Sequence, residues 1–331
     1  MKINICKKIN SLLLLGFFLT FVNSLFAEQA RYHDDNFTLT VYYNETVVPG
    51  EAIFVKMIYE PSKAAVKSKN FNLNKANLLL YAGEKMTESA PFYQTEKSKG
   101  NVTNYLCGVP VSLWASEVDY KLKVVISISD KENLKEFSLP LKFQSKKWNK
   151  EVIDLDSKNS EIKNDMSPER TAQIEKLNNI LFTTNLSDVF DTAPFVCPTT
   201  STRYTAFCGD RRTYTYVNGK SSTSVHYGND YGIPTGSEVR ACAKGKVVMA
   251  EWRISTGWSV VIEHLPGLYS LYYHCSELNV QEGQMVDKND LIALSGDTGL
   301  ATGPHLHWEI RLNGSAVVPE FFMTDFAFTE K

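Results

Sequence analysis

From Pro194 to the C-terminus the chain runs in short β-branched and aromatic stretches cut by glycine turns, and this pattern excludes a helical domain. The stretches are EVRACAKGKVVMAEW, GWSVVIEH, LYSLYYHC, DLIALSG and LHWEIRLNG, with turns at Glu282-Gly283 and Asn313-Gly314. They predict a compact antiparallel β domain over residues 194–325. A second β-rich region spans Phe37 to Phe143, with the runs FTLTVYY, AIFVKMIY, NLLLY, NYLCGVPV, YKLKVVISIS and FSLPLKF. Strands at that spacing predict an immunoglobulin-like β-sandwich over residues 31–145, able to serve as spacer, adhesion surface or lid. Between the two, Ser145 to Lys163 is polar and lysine-rich and reads as a linker, within a connecting region of residues 146–193. A helix is expected there. Ser167 suits an N-cap, Pro168 the first helical position, and Ile174, Leu177, Ile180 and Leu181 recur at helical spacing. The fold class is therefore mostly β, in two domains, with a helix packed between them.

The N-terminus has signal-peptide anatomy. Lys2, Lys7 and Lys8 precede the apolar run Ser11 to Val22, and small and polar residues follow to Ala27. The run is short against the roughly 20 apolar residues a membrane span needs. Residues 1–27 thus read as a cleaved leader that sends the chain to the periplasm, cell envelope or exterior, with no membrane span left behind. Cys6 precedes the apolar run, so no lipid-attachment site is indicated. The formal charge of −2 becomes −5 once the three leader lysines are removed, and no basic block remains to track phosphates. Nucleic acid is thereby excluded as a partner. Five cysteines remain (Cys107, Cys197, Cys208, Cys242 and Cys275), too few for a disulfide-built scaffold. Cys197 and Cys208, eleven residues apart, are the candidates for a bridge.

Of the six histidines, four fall into a pattern: His226-x-x-x-Asp230, His274, and His305-Leu306-His307. On a strand, positions i and i+2 share a face, so His305 and His307 can address one pocket while Leu306 packs behind. One can bind a metal while the other moves protons. A catalytic zinc site uses three protein ligands and keeps a position open for water. His226, Asp230 and one histidine of the pair supply that set. The metal lowers the pKa of its water from about 15.7 toward 7, which makes a nucleophile for a peptide carbonyl. Each motif alone is commonplace in β proteins; their combination is what carries weight. His264 follows Glu263 at a strand end, belongs to no pair and is left out. His33, beside Asp34 and Asp35, reads as solvated.

The segments HYGNDYGIPTGSEVRACAKGKVV, YYHCSELNVQEGQMVDKNDLIALSGDTG and TGPHLHWEIRLNG resemble the successive signature blocks of the LytM-type, M23 family zinc endopeptidases. The resemblance covers roughly Pro194 to Phe322, including the approach segment FVCPTTSTRYTAFCGDRR, and leaves out the N-terminal domain. It implies a β-sheet groove enzyme with one zinc ion per chain, acting on the peptides of peptidoglycan at stem or cross-bridge. Carried over by position, it implies His226, Asp230 and His307 as metal ligands and His305 as general base. His274 matches the remaining active-site histidine, which orients water or stabilises the oxyanion. Three departures bear on groove shape: Cys208-Gly209 in place of an aromatic-glycine pair, Asn229 before Asp230, and Trp258 after Gly257. Cys275, beside His274, is expected to be a core thiol, because adjacent strand residues point oppositely.

Two other readings compete. A non-catalytic relative on the same fold would regulate or bind cell-wall hydrolases, but such relatives lose ligands, and this chain keeps all five residues. The segment VQEGQMVDKNDLIAL is similar to the hairpin of lipoyl- and biotin-carrier domains, yet Lys288 sits in no attachment signature.

Overall fold

Strand alternation builds the first unit directly. In the computed structural model, which describes residues 2–3, 28–33, 35–67, 73–96, 100–128 and 134–329, Phe37–Tyr43 alternates strictly between buried and half-buried positions. Tyr120–Ile128 does the same over most of its length. The leader read at residues 1–27 lies outside the described residues, apart from the backbone of Lys2–Ile3. One five-stranded sheet runs in the order Glu28–His33, Phe37–Tyr43, Ala52–Pro61, Thr103–Pro110, Tyr93–Gln94. The other runs Lys2–Ile3, Leu134–Pro140, Tyr120–Ile128, Leu73–Ala82, Lys85–Pro91. Phe37, Leu39 and Val41 from the first sheet and Leu78, Leu80, Val124 and Phe137 from the second belong to one apolar core. The unit comprises residues 1–111, 115–145 and 327–331.

The second unit, residues 112–114 and 146–326, holds the histidines. Its main sheet is ordered Tyr204–Ala206, Gly228–Tyr231, Leu306–Leu312, Leu268–Cys275, Gly257–Leu265, Gly245–Arg253, Met285–Val286, with Ser315–Val317 joined to Leu306–Leu312. Three short strands, Glu238–Arg240, Leu291–Leu294 and Glu277–Leu278, form a second sheet. With 49% strand and 11% helix the chain is mostly β. Central strands here are buried on both faces: Gly257–Leu265 and Leu268–Cys275 are apolar and covered almost throughout.

The polar stretch with a linker's composition is structured. Lys150–Asp154 is a strand, parallel to Arg211–Thr215, and Ser157–Asn164 is a helix. Pairing with the hairpin Arg211–Thr215/Ser221–Val225 satisfies its backbone, which composition does not reveal. The helix Pro168–Leu181 starts at Ser167, whose side chain accepts from Arg170 N. Leu181, with Leu177 and Ile180, packs on Met249, Val261, Tyr269, Leu271 and Tyr273. Ile174, on the expected apolar face, is exposed. Cys197 and Cys208 are free thiols and form no bridge, as are Cys107, Cys242 and Cys275. Cys275 is fully buried, as a core thiol should be.

Candidate metal centre

Two neighbouring strands bring the ligand-type residues together. Gly228–Tyr231 pairs antiparallel with Leu306–Leu312 so that Asp230 lies opposite His307. On its other edge His307 lies opposite Tyr273, whose ring stacks on the imidazole at 5.5 Å and 6°. Leu306, between the two histidines, is fully buried behind them. His226 enters from the turn before Gly228, tied down by its backbone N–H to Asp210 O at 2.9 Å and by Gly209 N–H to its own carbonyl at 2.7 Å.

Three donor atoms converge. His226 Nε2 is 3.1 Å from Asp230 Oδ1 and 3.0 Å from His307 Nδ1, and His307 Nδ1 is 2.8 Å from Asp230 Oδ1. The metal-binding atoms of these three residues all lie within 4.8 Å of one another. Their remaining polar atoms are committed elsewhere. His226 Nδ1 donates to Phe207 O at 3.0 Å. His307 Nε2 faces Glu309 Oε2 at 3.5 Å, and Arg311 in turn grips Glu309. Asp230 Oδ2 accepts from Arg212 Nη2 at 2.8 Å, and Arg212 also pairs with Glu151. The outer nitrogen of each ring therefore carries a hydrogen, and the inner nitrogen faces a carboxylate oxygen, able to hold a proton against it or to turn a lone pair to a cation. Two lone pairs and an anion at this spacing call for a cation between them. An N₂O donor set of this kind suits zinc, and outer partners of this kind are what fixes a ligand's tautomer.

The electrostatics agree. Burial alone would lift the Asp230 carboxyl, but His226 and His307 hold it well below the usual carboxylate range. Burial also works against charge on His307, yet hydrogen bonds to the Asp230 and Glu309 carboxylates outweigh it and raise the ring to about 9. His226 is lowered, chiefly by burial.

The other two predicted residues stand beside this trio. His305 Nδ1 donates to Gly303 O at 2.8 Å, and its Nε2 stands 3.7 Å from Asp230 Oδ1. His274 Nδ1 donates to Thr298 O at 2.7 Å. The His274 ring lies 4.7 Å from that of His305 and 6.1 Å from that of His307. Burial, then the neighbouring histidines, push His274 down to about 3, so the ring is neutral. Its backbone is left-handed, with φ of 62°, a strained state for a non-glycine residue that clusters at functional sites. All five predicted residues are thus brought to one place. His264 is elsewhere, fully buried between Lys244 O and Ser270 Oγ.

A family model described as Peptidase family M23 matches residues 224–319. This stretch is an M23 peptidase domain. The M23 segment is 41% identical over 95 residues to DD-carboxypeptidase/endopeptidase Mpg of Neisseria meningitidis serogroup B, covering 29% of this chain and 22% of that relative. It is 40% identical over 92 residues to peptidoglycan DD-endopeptidase ShyA of Vibrio cholerae serotype O1, covering 28% of this chain and 21% of ShyA. The chain thus matches only about a fifth of the length of these curated relatives. A solved Pseudomonas aeruginosa structure assigned to peptidase M23 aligns with TM-score 0.53 at 18% identity, over 86% of this chain and 96% of that one, a likeness of fold.

Sequence reasoning missed the residues that hold the converging donors in place. Glu309 and Arg311 continue the His305, His307 alternation at i+2 and i+4, so the period-two rule could have found them. Arg212 carried no such signal, and Phe207, Thr298 and Gly303 act through their carbonyls. Of the three departures, Asn229 is a packed linchpin: it accepts from Cys208 N–H at 2.9 Å and donates to Glu320 at 2.6 Å. Trp258 is part-exposed, edge-on to Trp252 at 5.7 Å.

Proposed function

We propose that this chain is an exported zinc metalloendopeptidase that hydrolyses peptide bonds in peptidoglycan. The observation that carries the reading is the convergence of His226 Nε2, Asp230 Oδ1 and His307 Nδ1, each with its other polar atom occupied, beside two further histidines. His226, Asp230 and His307 would hold the metal; bound there, zinc supplies a Lewis acid and lowers the pKa of a coordinated water. His305, its Nδ1–H fixed on Gly303, offers Nε2 as the base that takes the proton from the attacking water. His274, neutral and with its hydrogen committed to Thr298, offers an acceptor that orients that water, and becomes a donor to an oxyanion only after gaining a proton. Tyr273 and Glu309 keep the His307 plane and tautomer fixed throughout.

The peptidoglycan assignment draws on the names of the relatives, and export on the leader-like N-terminus. Among the described residues no helix is long and apolar enough to cross a membrane. For the first unit we assign the immunoglobulin-like class, supported by its two sheets around one core, antiparallel except where Lys2–Ile3 joins Leu134–Pro140. Digestion of purified sacculi by the mature protein, with fragments read by mass spectrometry, tests the activity. Zinc-loaded wild type should release new amino termini, and chelated protein should not. His307→Ala should lose zinc and activity together, whereas His305→Ala should lose activity and keep most of its zinc. Absence of release from every wall type would end the hydrolytic reading, and equal zinc loss in both variants would end the division of roles.

A further inference from the structure

Three strands across the main sheet from His307, Arg253 is buried without an anion beside it. It is 4% exposed, and among the described residues no carboxylate pairs with it. Its Nη1 donates to Thr256 Oγ1 at 3.2 Å and its Nη2 to Gln173 O at 3.5 Å, while Nε is buried with no hydrogen-bond partner among the described residues. Glu251, two residues back and so on the same strand face, is already held by Lys176. A buried guanidinium with neutral acceptors and one unused N–H is costly unless an anion from outside completes it. Resting on the hydrolytic reading above, we propose that Arg253 and Arg170 form a subsite on the His274 side of the metal centre that takes a free carboxylate of the peptide being cut.

Arg170 serves the same loop, residues 254–256. Its Nε donates to Ser255 Oγ at 3.0 Å. One helical turn on, Gln173 takes Arg253 on its carbonyl and accepts from Ile254 N–H on Oε1 at 2.8 Å. Both guanidinium groups are thus fastened to one loop and one helix face. Arg170 also donates to the Asp165 carbonyl, while the Asp165 carboxylate is turned to Ser167 N–H at 2.7 Å. Among the described residues its charge has no ion-pair partner either. Lys163 adds a third positive group nearby: burial first, then Arg170 and Arg212, hold its ammonium below the ordinary lysine range.

The loop meets the metal centre at two points. Thr256 O accepts the His274 N–H at 2.8 Å. The Tyr273 ring, which stacks on His307 at 5.5 Å, lies 6.0 Å from Arg253 Cζ. Three to four residues of extended peptide, at roughly 3.3–3.6 Å each, cover that span. A carboxylate held there fixes the register of the peptide against the metal centre, because a guanidinium offers parallel N–H donors to both of its oxygens. A neutral groove accepts any peptide of the right shape; two unpaired cations select an acidic one.

The test uses the full zinc-loaded chain with sacculi that are either native or have had their carboxylates converted to amides by carbodiimide and ammonia. Wild type should digest native sacculi roughly 10- to 100-fold faster than amidated ones, the worth of a charge-assisted pair. Arg170→Gln, at a half-buried position, and Arg253→Met should each lose most of that preference, whereas Arg170→Lys, which keeps the charge, should retain part of it. A merely structural role would slow both substrates alike and leave their ratio unchanged. The second readout needs no turnover: calorimetric binding of soluble wall fragments, freed by lysozyme and then left native or amidated, to zinc-loaded His305→Ala. Amidation and Arg170→Gln should each weaken binding, and together no more than either alone. If wild type treats the two kinds of sacculi alike, or both uncharged variants keep its preference, the subsite is overturned. If fragments bind through their carboxylates and Arg170 while no sacculus is cut, the subsite stands and the hydrolytic reading fails.

Discussion

Replacing His264 with glutamine should remove an acid-sensitivity built into the second unit. The His264 ring is fully buried, with Nδ1 2.8 Å from Lys244 O, Nε2 2.7 Å from Ser270 Oγ, and its face 4.8 Å from Phe195. Burial, opposed only weakly by Lys244 O, lowers its pKa from 6.5 to about 4. Below 6.5 the unfolded chain therefore takes up a proton that the folded chain refuses. The loss grows as pH falls from 6.5 toward 4 and is flat below that. A shift of this size corresponds to about 3 kcal/mol when complete, of which about 2 kcal/mol is lost between pH 7.5 and pH 5. All five tryptophans (Trp114, Trp148, Trp252, Trp258 and Trp308) lie in the second unit, so urea unfolding followed by tryptophan fluorescence reports on it alone. His264→Gln cannot titrate. Its stability should fall by about 2 kcal/mol less than that of the wild type over this pH step. Glu263, raised to about 7 chiefly by burial, acts in the opposite direction but is common to both proteins and cancels. Equal pH slopes in the two proteins would refute the reasoning.

Glu309→Gln should loosen zinc without unfolding the domain, because the carboxylate 3.5 Å from His307 Nε2 no longer selects the tautomer. Chelator competition should show roughly a 10- to 100-fold loss of affinity, and an unchanged value would remove Glu309 from the metal centre. Gly257→Ala should destabilise the second unit by about 1–3 kcal/mol or more, since φ is +63° and the added carbon would stand 1.9 Å from Thr298 Oγ1. Peptide release should drop with it, Thr298 being the support of His274; a neutral urea midpoint would contradict the crowding. Iodoacetamide at pH 8 should label the native mature protein at Cys197 at most. The other four thiols are buried, with Cys242 and Cys275 pushed up to about 12 and Cys107 and Cys208 higher still. Unfolding without reductant should expose all five, and two missing labels would reveal a bridge.

The sequence alone determined the β class and singled out the five polar residues that the fold brings together. Period-two spacing puts His305 and His307 on one strand face whatever the rest of the chain does. The turn-rich context leaves His226 and Asp230 close together for the same local reason. Pro168 after Ser167 fixed a helix start, because capping is local too. The tertiary structure decided everything that depends on carbonyls and partners distant in sequence. Which ring nitrogen faces inward is set by Phe207 O, Gly303 O, Thr298 O and Glu309; which oxygen of Asp230 does so is set by Arg212. Composition also gave no sign of the strand and helix within Ser145 to Lys163. A polar segment looks like a linker when it has no apolar face, yet this one pairs its backbone with Arg211–Thr215 and docks through Asn159 on Ala301 O and Lys163 on the Tyr214 ring. Hydrogen bonds of that kind leave no periodic trace in the chain, because their partners are chosen only once the sheet has formed.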